Sequence, residues 1–201
     1  MNKIRIAVFV SGSGTNLQAL LDYEKQSKLI DGEIVLVVSS KKDAYALQRA
    51  KNYNKKTVVF RNKDYISNIQ MEEKLINLLK EERIDLIVLA GYLNVLSSNF
   101  TKLYDHRIIN VHPSLIPSFC GEGMYGLKVH EAALNYGVKV SGATVHYVNE
   151  VVDGGEIILQ KAVDVLDDDT PESLQKRIME EAEWIILPEA VNIVIQRIKR
   201  S

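Results

Sequence analysis

The chain has 201 residues, of which 46% are hydrophobic and 25% are charged, and its 26 acidic and 25 basic residues leave a formal net charge of −1. This length and apolar fraction predict one globular domain over residues 1–201 and exclude a disordered chain. The balanced charge argues against a large nucleic-acid interface, and no apolar run is long enough to span a bilayer. The single cysteine, Cys120, excludes an internal disulfide. With no signal-peptide pattern at the start, we expect a soluble cytoplasmic protein.

Strands and helices alternate through the predicted first half. Four strands are predicted, at Ile4–Val10, 33–38, 58–60 and 86–90. Three helices are predicted between them, at 15–26, 44–52 and 70–82. This order predicts right-handed crossovers and a parallel sheet with helices on both faces.

The pattern changes in the second half. Three further strands are predicted, at Ile108–His112, 140–148 and 157–163. A helix is predicted over Leu127–Tyr136, and a long final helix runs from the Thr170 cap towards residue 200 with a bend near Pro188. The last two strands are joined through Asp153-Gly154-Gly155, which indicates antiparallel pairing. The predicted fold is therefore α/β, a Rossmann-like and mostly parallel twisted sheet with some antiparallel pairing in the C-terminal half.

A glycine-rich turn, Ser11-Gly12-Ser13-Gly14-Thr15-Asn16, lies between the first strand and the first helix. Backbone amides at a helix start can bind an anion, although the same residues also suit a plain turn. A dinucleotide site is excluded because Leu17 replaces the third glycine and Ser39, rather than an acidic residue, follows the second strand. A single phosphate monoester is the ligand that the turn predicts.

Two polar side chains share one face at the carboxyl end of the predicted strand Ile108–His112. Asn110 and His112 are two residues apart, and open α/β sheets bind their ligands at carboxyl strand ends. An amide beside an imidazole can stabilise an oxyanion and move a proton, although a lone strand histidine is more often structural. His106, His130 and His146 have no partner recognisable from sequence, and we interpret them as structural.

Several motifs occur together and in order. They are the glycine turn, Leu89-Ala90-Gly91-Tyr92-Leu93, Asn110-x-His112-x-Ser114-Leu115-x-Pro117, and Asp153-Gly154-Gly155 with Ile158-Leu159-Gln160. Over nearly its whole length the chain resembles the folate-dependent phosphoribosylglycinamide formyltransferase family. The Asn-x-His-x-Ser-Leu-x-Pro motif is shared with other 10-formyltetrahydrofolate enzymes, whereas the length and the glycine turn indicate the member that acts on a glycinamide ribonucleotide.

The resemblance implies a reaction and a set of site residues. Asn110, His112 and Asp153 would catalyse attack of the substrate amine on the formyl carbon of 10-formyltetrahydrofolate, with no metal. The residues that would contact the ribonucleotide are Gly14, Thr15, Asn16 and Glu183. The residues that would contact the folate are Leu93, Asn94, Val95, Leu96, Asn110, Asn149, Glu150, Val151, Val152 and Asp153. The partners expected are therefore small molecules, without nucleic acid or membrane, for a monomer or homodimer.

Three features depart from the family pattern. Trp184 stands where a histidine is usual, and segment 118–126 is longer than in many members. The basic residue that contacts folate upstream of the middle helix has no clear counterpart, although Lys63 lies in that region. These departures leave the loop geometry and the folate tail contacts open.

Three alternative functions are weighed against the resemblance. A formyltetrahydrofolate deformylase usually carries an extra amino-terminal domain, for which a first strand at Ile4–Val10 leaves no room. A non-catalytic phosphate-binding module would not need Asn110, His112 and Asp153 together with the glycine turn. A transfer RNA formyltransferase would need a further carboxyl-terminal domain and a basic surface. We therefore expect formyl transfer to a ribonucleotide amine.

Overall fold

Seven strands form one twisted sheet in the computed structural model, which describes residues 3–200. The strands are β1 (Ile4–Val10), β2 (Gly32–Ser39), β3 (Lys56–Val59), β4 (Leu86–Leu89), β5 (Ile108–His112), β6 (Val140–Tyr147) and β7 (Ile157–Asp164). Their order is β3-β2-β1-β4-β5-β6-β7, in which β1 to β5 are parallel and the pairs β5–β6 and β6–β7 are antiparallel. The predicted α/β fold, with antiparallel pairing in its C-terminal half, is confirmed.

Seven α-helices surround the sheet in the described residues. They are α1 (Thr15–Lys25), α2 (Tyr45–Asn52), α3 (Asn68–Glu81), α4 (Ser98–Leu103), α5 (Leu127–Tyr136), α6 (Pro171–Ile178) and α7 (Trp184–Arg200). The short helix α4, capped by Ser97, was absent from the sequence prediction. None of these helices is long and apolar enough to cross a membrane.

The predicted final helix is interrupted, but not where its proline lies. A π-helical turn at Met179–Glu183 separates α6 from α7, whereas Pro188 lies within α7. The helix continues through Pro188, and the π turn is the feature that the sequence did not predict. A π turn inserts an extra residue into the helical repeat, so it changes the direction in which its own side chains point.

Side-chain alternation along β1 distributes the core between the two faces of the sheet. Ile6, Val8 and Val10 pack on one face among residues of α1 and α7, whereas Ala7 and Phe9 pack on the other against α3 and α4. All five side chains are buried. The parallel strands are thus covered on both faces, and their carboxyl ends remain the natural place for a site.

Candidate active site

A cavity of about 540 Å³ opens at the carboxyl ends of β4 and β5 and at the start of α1. Its wall contains every predicted site residue except Gly14. These residues are Thr15, Asn16, Leu93, Asn94, Val95, Leu96, Asn110, His112, Asn149, Glu150, Val151, Val152, Asp153 and Glu183. The fold thus gathers two sets of residues, predicted for two different ligands, around one space.

Asn110, His112 and Asp153 form a compact cluster in this wall. Asp153 Oδ2 lies 3.4 Å from His112 Nδ1, and Asp153 Oδ1 lies 3.5 Å from Asn110 Nδ2. Two backbone groups complete the cluster, since the Gly121 amide donates to Asp153 Oδ2 at 2.9 Å and the Phe119 carbonyl lies 2.9 Å from His112 Nε2. Both His112 and Asp153 are buried side chains, so these contacts are shielded from water.

The carboxyl group of Asp153 is ionised at neutral pH despite its burial. Burial raises the pKa of Asp153, but hydrogen bonding with His146 and the Gly121 amide and the charge of His112 outweigh it. The net pKa lies below the ordinary value of 3.8. The cluster therefore pairs an imidazole with a carboxylate that is charged at neutral pH.

His146 also belongs to the cluster. The sequence analysis interpreted this histidine as structural and did not predict its contacts with Asn110 and Asp153. Its Nε2 lies 3.2 Å from Asn110 Nδ2 and 3.6 Å from Asp153 Oδ1, and its Nδ1 lies 2.8 Å from the Tyr147 carbonyl. Strand β6 pairs with β5 in a register that sets His146 opposite Asn110. The imidazole of His146 is thus in place to orient the Asn110 amide.

His130 is a second histidine in the cavity wall. It is wholly buried, and neither ring nitrogen has a hydrogen-bond partner within residues 3–200. Burial, reinforced by the charge of His112, lowers the pKa of His130 to about 4. Its ring is therefore neutral at neutral pH.

The side of the cavity predicted to bind the ribonucleotide joins α1 to the π turn. Asn16 Nδ2 donates to Glu183 Oε2 at 2.6 Å, whereas Asn16 Oδ1 is buried with no partner among the described residues. Burial raises the pKa of Glu183 to about 7, although the Asn16 hydrogen bond opposes this shift. Trp184, which follows Glu183, does not line the cavity.

Gly14 has a packing role rather than a place in the cavity wall. Its φ is 74°, in the left-handed region, and a Cβ built on it would lie 2.5 Å from Ala46 Cβ. A side chain at this position would be strained and would also clash with α2. The positive φ and the contact with α2 together account for a glycine here.

The side of the cavity predicted to bind folate has an apolar rim. Leu93, Val95, Val151 and Val152 are exposed apolar side chains at its edge. Asn94 borders both this cavity and a neighbouring polar pocket. The basic residues of that second pocket are Lys41, Lys42, Arg61 and Lys63.

Comparisons with known proteins assign the class of protein that this site serves. Residues 4–191 match the family model described as formyl transferase. That match covers most of the chain, including Asn110, His112 and Asp153. The chain therefore belongs to the formyl transferases.

The particular family follows from individual relatives. The chain is 40% identical over 92% of its length to phosphoribosylglycinamide formyltransferase of Haemophilus influenzae and covers 84% of that protein. The crystal structure of glycinamide ribonucleotide transformylase 1 from Symbiobacterium toebii has a TM-score of 0.90 and 41% identity, with 96% of this chain and 88% of that chain covered. The trifunctional purine biosynthetic protein adenosine-3 of Gallus gallus is 42% identical over 96% of this chain, which spans only 18% of that protein. The chain is a member of the phosphoribosylglycinamide formyltransferase family, as its motifs predicted.

Proposed function

We propose that this chain transfers a formyl group from 10-formyltetrahydrofolate to the amine of phosphoribosylglycinamide, a step of purine nucleotide synthesis. The products are formylglycinamide ribonucleotide and tetrahydrofolate. The observation that carries the proposal is the buried cluster of Asn110, His112 and Asp153 in a cavity that also receives Thr15, Asn16 and Glu183. As an enzyme acting on small molecules, it would work in the cytoplasm as a monomer or homodimer.

The described residues fit two ligands of different chemistry. The apolar rim of Leu93, Val95, Val151 and Val152 suits a flat heterocycle, whereas the unpartnered Asn16 Oδ1 and the Glu183 carboxyl suit a ribose with hydroxyl donors. The cosubstrate supplies the formyl carbon that the substrate amine attacks. The cluster of Asn110, His112 and Asp153 lines the same cavity, in which that carbon would be placed.

Three side chains divide the chemistry. The Asn110 amide donates a hydrogen bond to the oxygen that becomes negative as the amine attacks, and His146 holds that amide in orientation. Protonated His112 stabilises the same charge and delivers a proton to the departing nitrogen. The Asp153 carboxylate, 3.4 Å from Nδ1, supports the charged imidazole and accepts the proton lost from the amine through the imidazole or a bridging water.

One assay separates transfer from hydrolysis. Release of tetrahydrofolate from 10-formyltetrahydrofolate would be followed with and without phosphoribosylglycinamide. Turnover that depends on the amine supports the proposal. Equal turnover without the amine would make the chain a deformylase, and absence of turnover under both conditions would leave a binding module.

A further inference from the structure

Helix α2 packs against the outer side of the glycine turn and binds its carbonyl groups. The Ala46 amide donates to the Gly12 carbonyl at 3.2 Å, and Arg49 Nε donates to the Ser13 carbonyl at 2.9 Å. The carbonyl of Gly14 accepts from the Gln18 amide of α1 at 2.9 Å. Three successive carbonyls of the turn are therefore satisfied by groups of α2 and α1.

The amide groups of the same turn have no such partners. No described acceptor receives the backbone N–H of Gly12, Ser13 or Gly14 in residues 3–200. Successive unpaired amides beside a helix start form a concave site for an anion. The hydrogen bonds to α2 and α1 hold the turn in this conformation before any ligand binds.

Arg49 places a positive charge beside the glycine turn, because its Nε donates to the Ser13 carbonyl. Its Nη1 donates to Gln18 Oε1 at 3.0 Å, and its guanidinium lies over the Tyr45 ring at 5.0 Å from the centroid. Among the described residues, no carboxylate forms an ion pair with Arg49. Its charge is thus held beside the turn by neutral groups and is not neutralised by a described carboxylate.

We propose that Arg49 is a positioning residue that makes the turn specific for a phosphorylated substrate. It fixes the Ser13 carbonyl, so that the neighbouring amides face the anion, and its unneutralised charge offsets that of the phosphate. The inference rests on the proposed function, since it assumes that the ribonucleotide phosphate binds at the turn. It assigns to α2 a role that neither the motifs nor the cavity wall includes.

Arg49→Met tests this inference through the substrate's phosphate. We expect the KM for phosphoribosylglycinamide to rise about 10- to 100-fold, the range for losing a hydrogen bond with a charged group. The KM for 10-formyltetrahydrofolate should stay within about twofold of the parent value. The control is Lys51→Met, which replaces an exposed lysine on the same helix, and its KM values for both substrates should also stay within about twofold of the parent. With the unphosphorylated analogue ribosylglycinamide, Arg49→Met and the parent should behave alike. Equal losses with both amines, or no loss with either, would overturn the inference.

A binding experiment tests Arg49 without requiring catalysis. Calorimetry would compare ribose 5-phosphate with ribose in the parent, Arg49→Met and Arg49→Lys, with thermal unfolding to show that each variant folds. We expect the parent to prefer ribose 5-phosphate, Arg49→Met to lose that preference, and Arg49→Lys, which keeps the charge, to retain part of it. Loss of this preference in Arg49→Met, with a parent that prefers ribose 5-phosphate but transfers no formyl group, would support the inference while refuting the proposed function. An unchanged preference in folded Arg49→Met would overturn the inference whatever the activity.

Discussion

Main-chain groups of residues 119–121 contact His112 and Asp153 at distances as short as those within the side-chain cluster. His112 faces two acceptors, the Phe119 carbonyl at Nε2 and Asp153 at Nδ1. A proton on Nε2 can donate to the Phe119 carbonyl, while Nδ1 faces the Asp153 carboxylate. These contacts orient the imidazole and connect its position to a loop outside β5.

Replacing His112 tests the role of a proton donor directly. We expect His112→Ala to lower kcat on the order of 10²–10⁴-fold, because the departing nitrogen loses its general acid. The KM values for both substrates should change far less, since no binding contact is assigned to His112 alone. His106→Ala, which removes an exposed histidine, is the control. Steady-state kinetics with parent-like kcat in a folded His112→Ala protein would remove His112 from the mechanism.

Asp153 occupies a left-handed conformation, with φ of 56°, which aspartate and asparagine both tolerate. Asp153→Asn therefore preserves the turn and an acceptor for the Gly121 amide but removes the charge. We expect kcat to fall roughly 10²–10⁴-fold, while the folate KM and the melting temperature stay close to those of the parent. Asp105→Asn, an exposed position, serves as the matched control. If the turnover of Asp153→Asn equals that of the parent, Asp153 only shapes its turn.

Motifs predicted which residues lie together at the site, whereas strand pairing adds a residue that no motif includes. Asn110, His112 and Asp153 belong to motifs, and the structure brings them together. His146 joins them only because β5 and β6 pair in antiparallel register, and that register cannot be read from either strand alone. Its interpretation as a structural residue was therefore incomplete for a physical reason.

At the scale of elements, the interruption between α6 and α7 determines where Glu183 points. The sequence offered Pro188 as the signal for a bend, because proline lacks the N–H that continues a helix. The structure instead accommodates Pro188 within α7 and places a π turn at Met179–Glu183. No residue type marks a π turn, so its position could not be predicted, although such turns are common at functional sites.

Gly12 and Gly14 of the glycine turn have different surroundings, so substitutions at the two positions should have different effects. Gly14 needs a positive φ and has no room beside Ala46, whereas nothing lies within 4 Å of a Cβ built on Gly12. We expect Gly14→Ala to reduce the free energy of unfolding by about 1–3 kcal/mol and Gly12→Ala to change it by less than about 0.5 kcal/mol. Urea unfolding measures both values, and equal losses would show that the packing against α2 does not matter.

Steady-state kinetics of Gly12→Ala, the variant expected to keep its stability, then tests the anion site. In Gly12→Ala, the added methyl group lies beside the unpaired amides, so we expect the ribonucleotide KM to rise roughly 10-fold while the folate KM is unchanged. Gly14→Ala cannot serve this purpose because its loss of stability would confound the measurement. An unchanged ribonucleotide KM in Gly12→Ala would move the phosphate away from this part of the turn.

At the scale of the whole molecule, the strand order creates the site. Strand β1 lies between β2 and β4, so the turn after β1 opens beside the carboxyl ends of β4 and β5. Alternating elements predicted the parallel half of this sheet, because short crossovers leave few arrangements. The contact between Asn16 and Glu183 joins residues 167 positions apart and depends on how α1 and α7 pack. No local pattern specifies such a contact.

The buried Glu183 carboxyl makes the stability of the whole molecule depend on pH. Its pKa is about 7 in the folded chain, against an ordinary value of 4.5. Between these values the folded chain binds more protons than the unfolded chain, so the free energy of unfolding falls as the pH rises. The stabilisation that the protonated Glu183 carboxyl contributes is complete below pH 4.5 and is lost as the pH rises through about 7. From pH 5 to pH 7.5 this linkage amounts to about 2 kcal/mol.

Glu183→Gln should remove this dependence, because glutamine does not titrate yet still offers an oxygen to Asn16 Nδ2. Between pH 5 and pH 7.5 the parent should lose about 2 kcal/mol of its free energy of unfolding that the variant keeps. Urea unfolding at the two pH values measures the change, and Glu189→Gln, at an exposed position of α7, controls for the lost charge. Parallel pH dependences of parent and Glu183→Gln would mean that Glu183 is already ionised in the folded chain at pH 5, held by a positive neighbour or by water. The bond between Asn16 and Glu183 would then be charge-assisted, and the ribose would meet a carboxylate across the whole range in which the enzyme works.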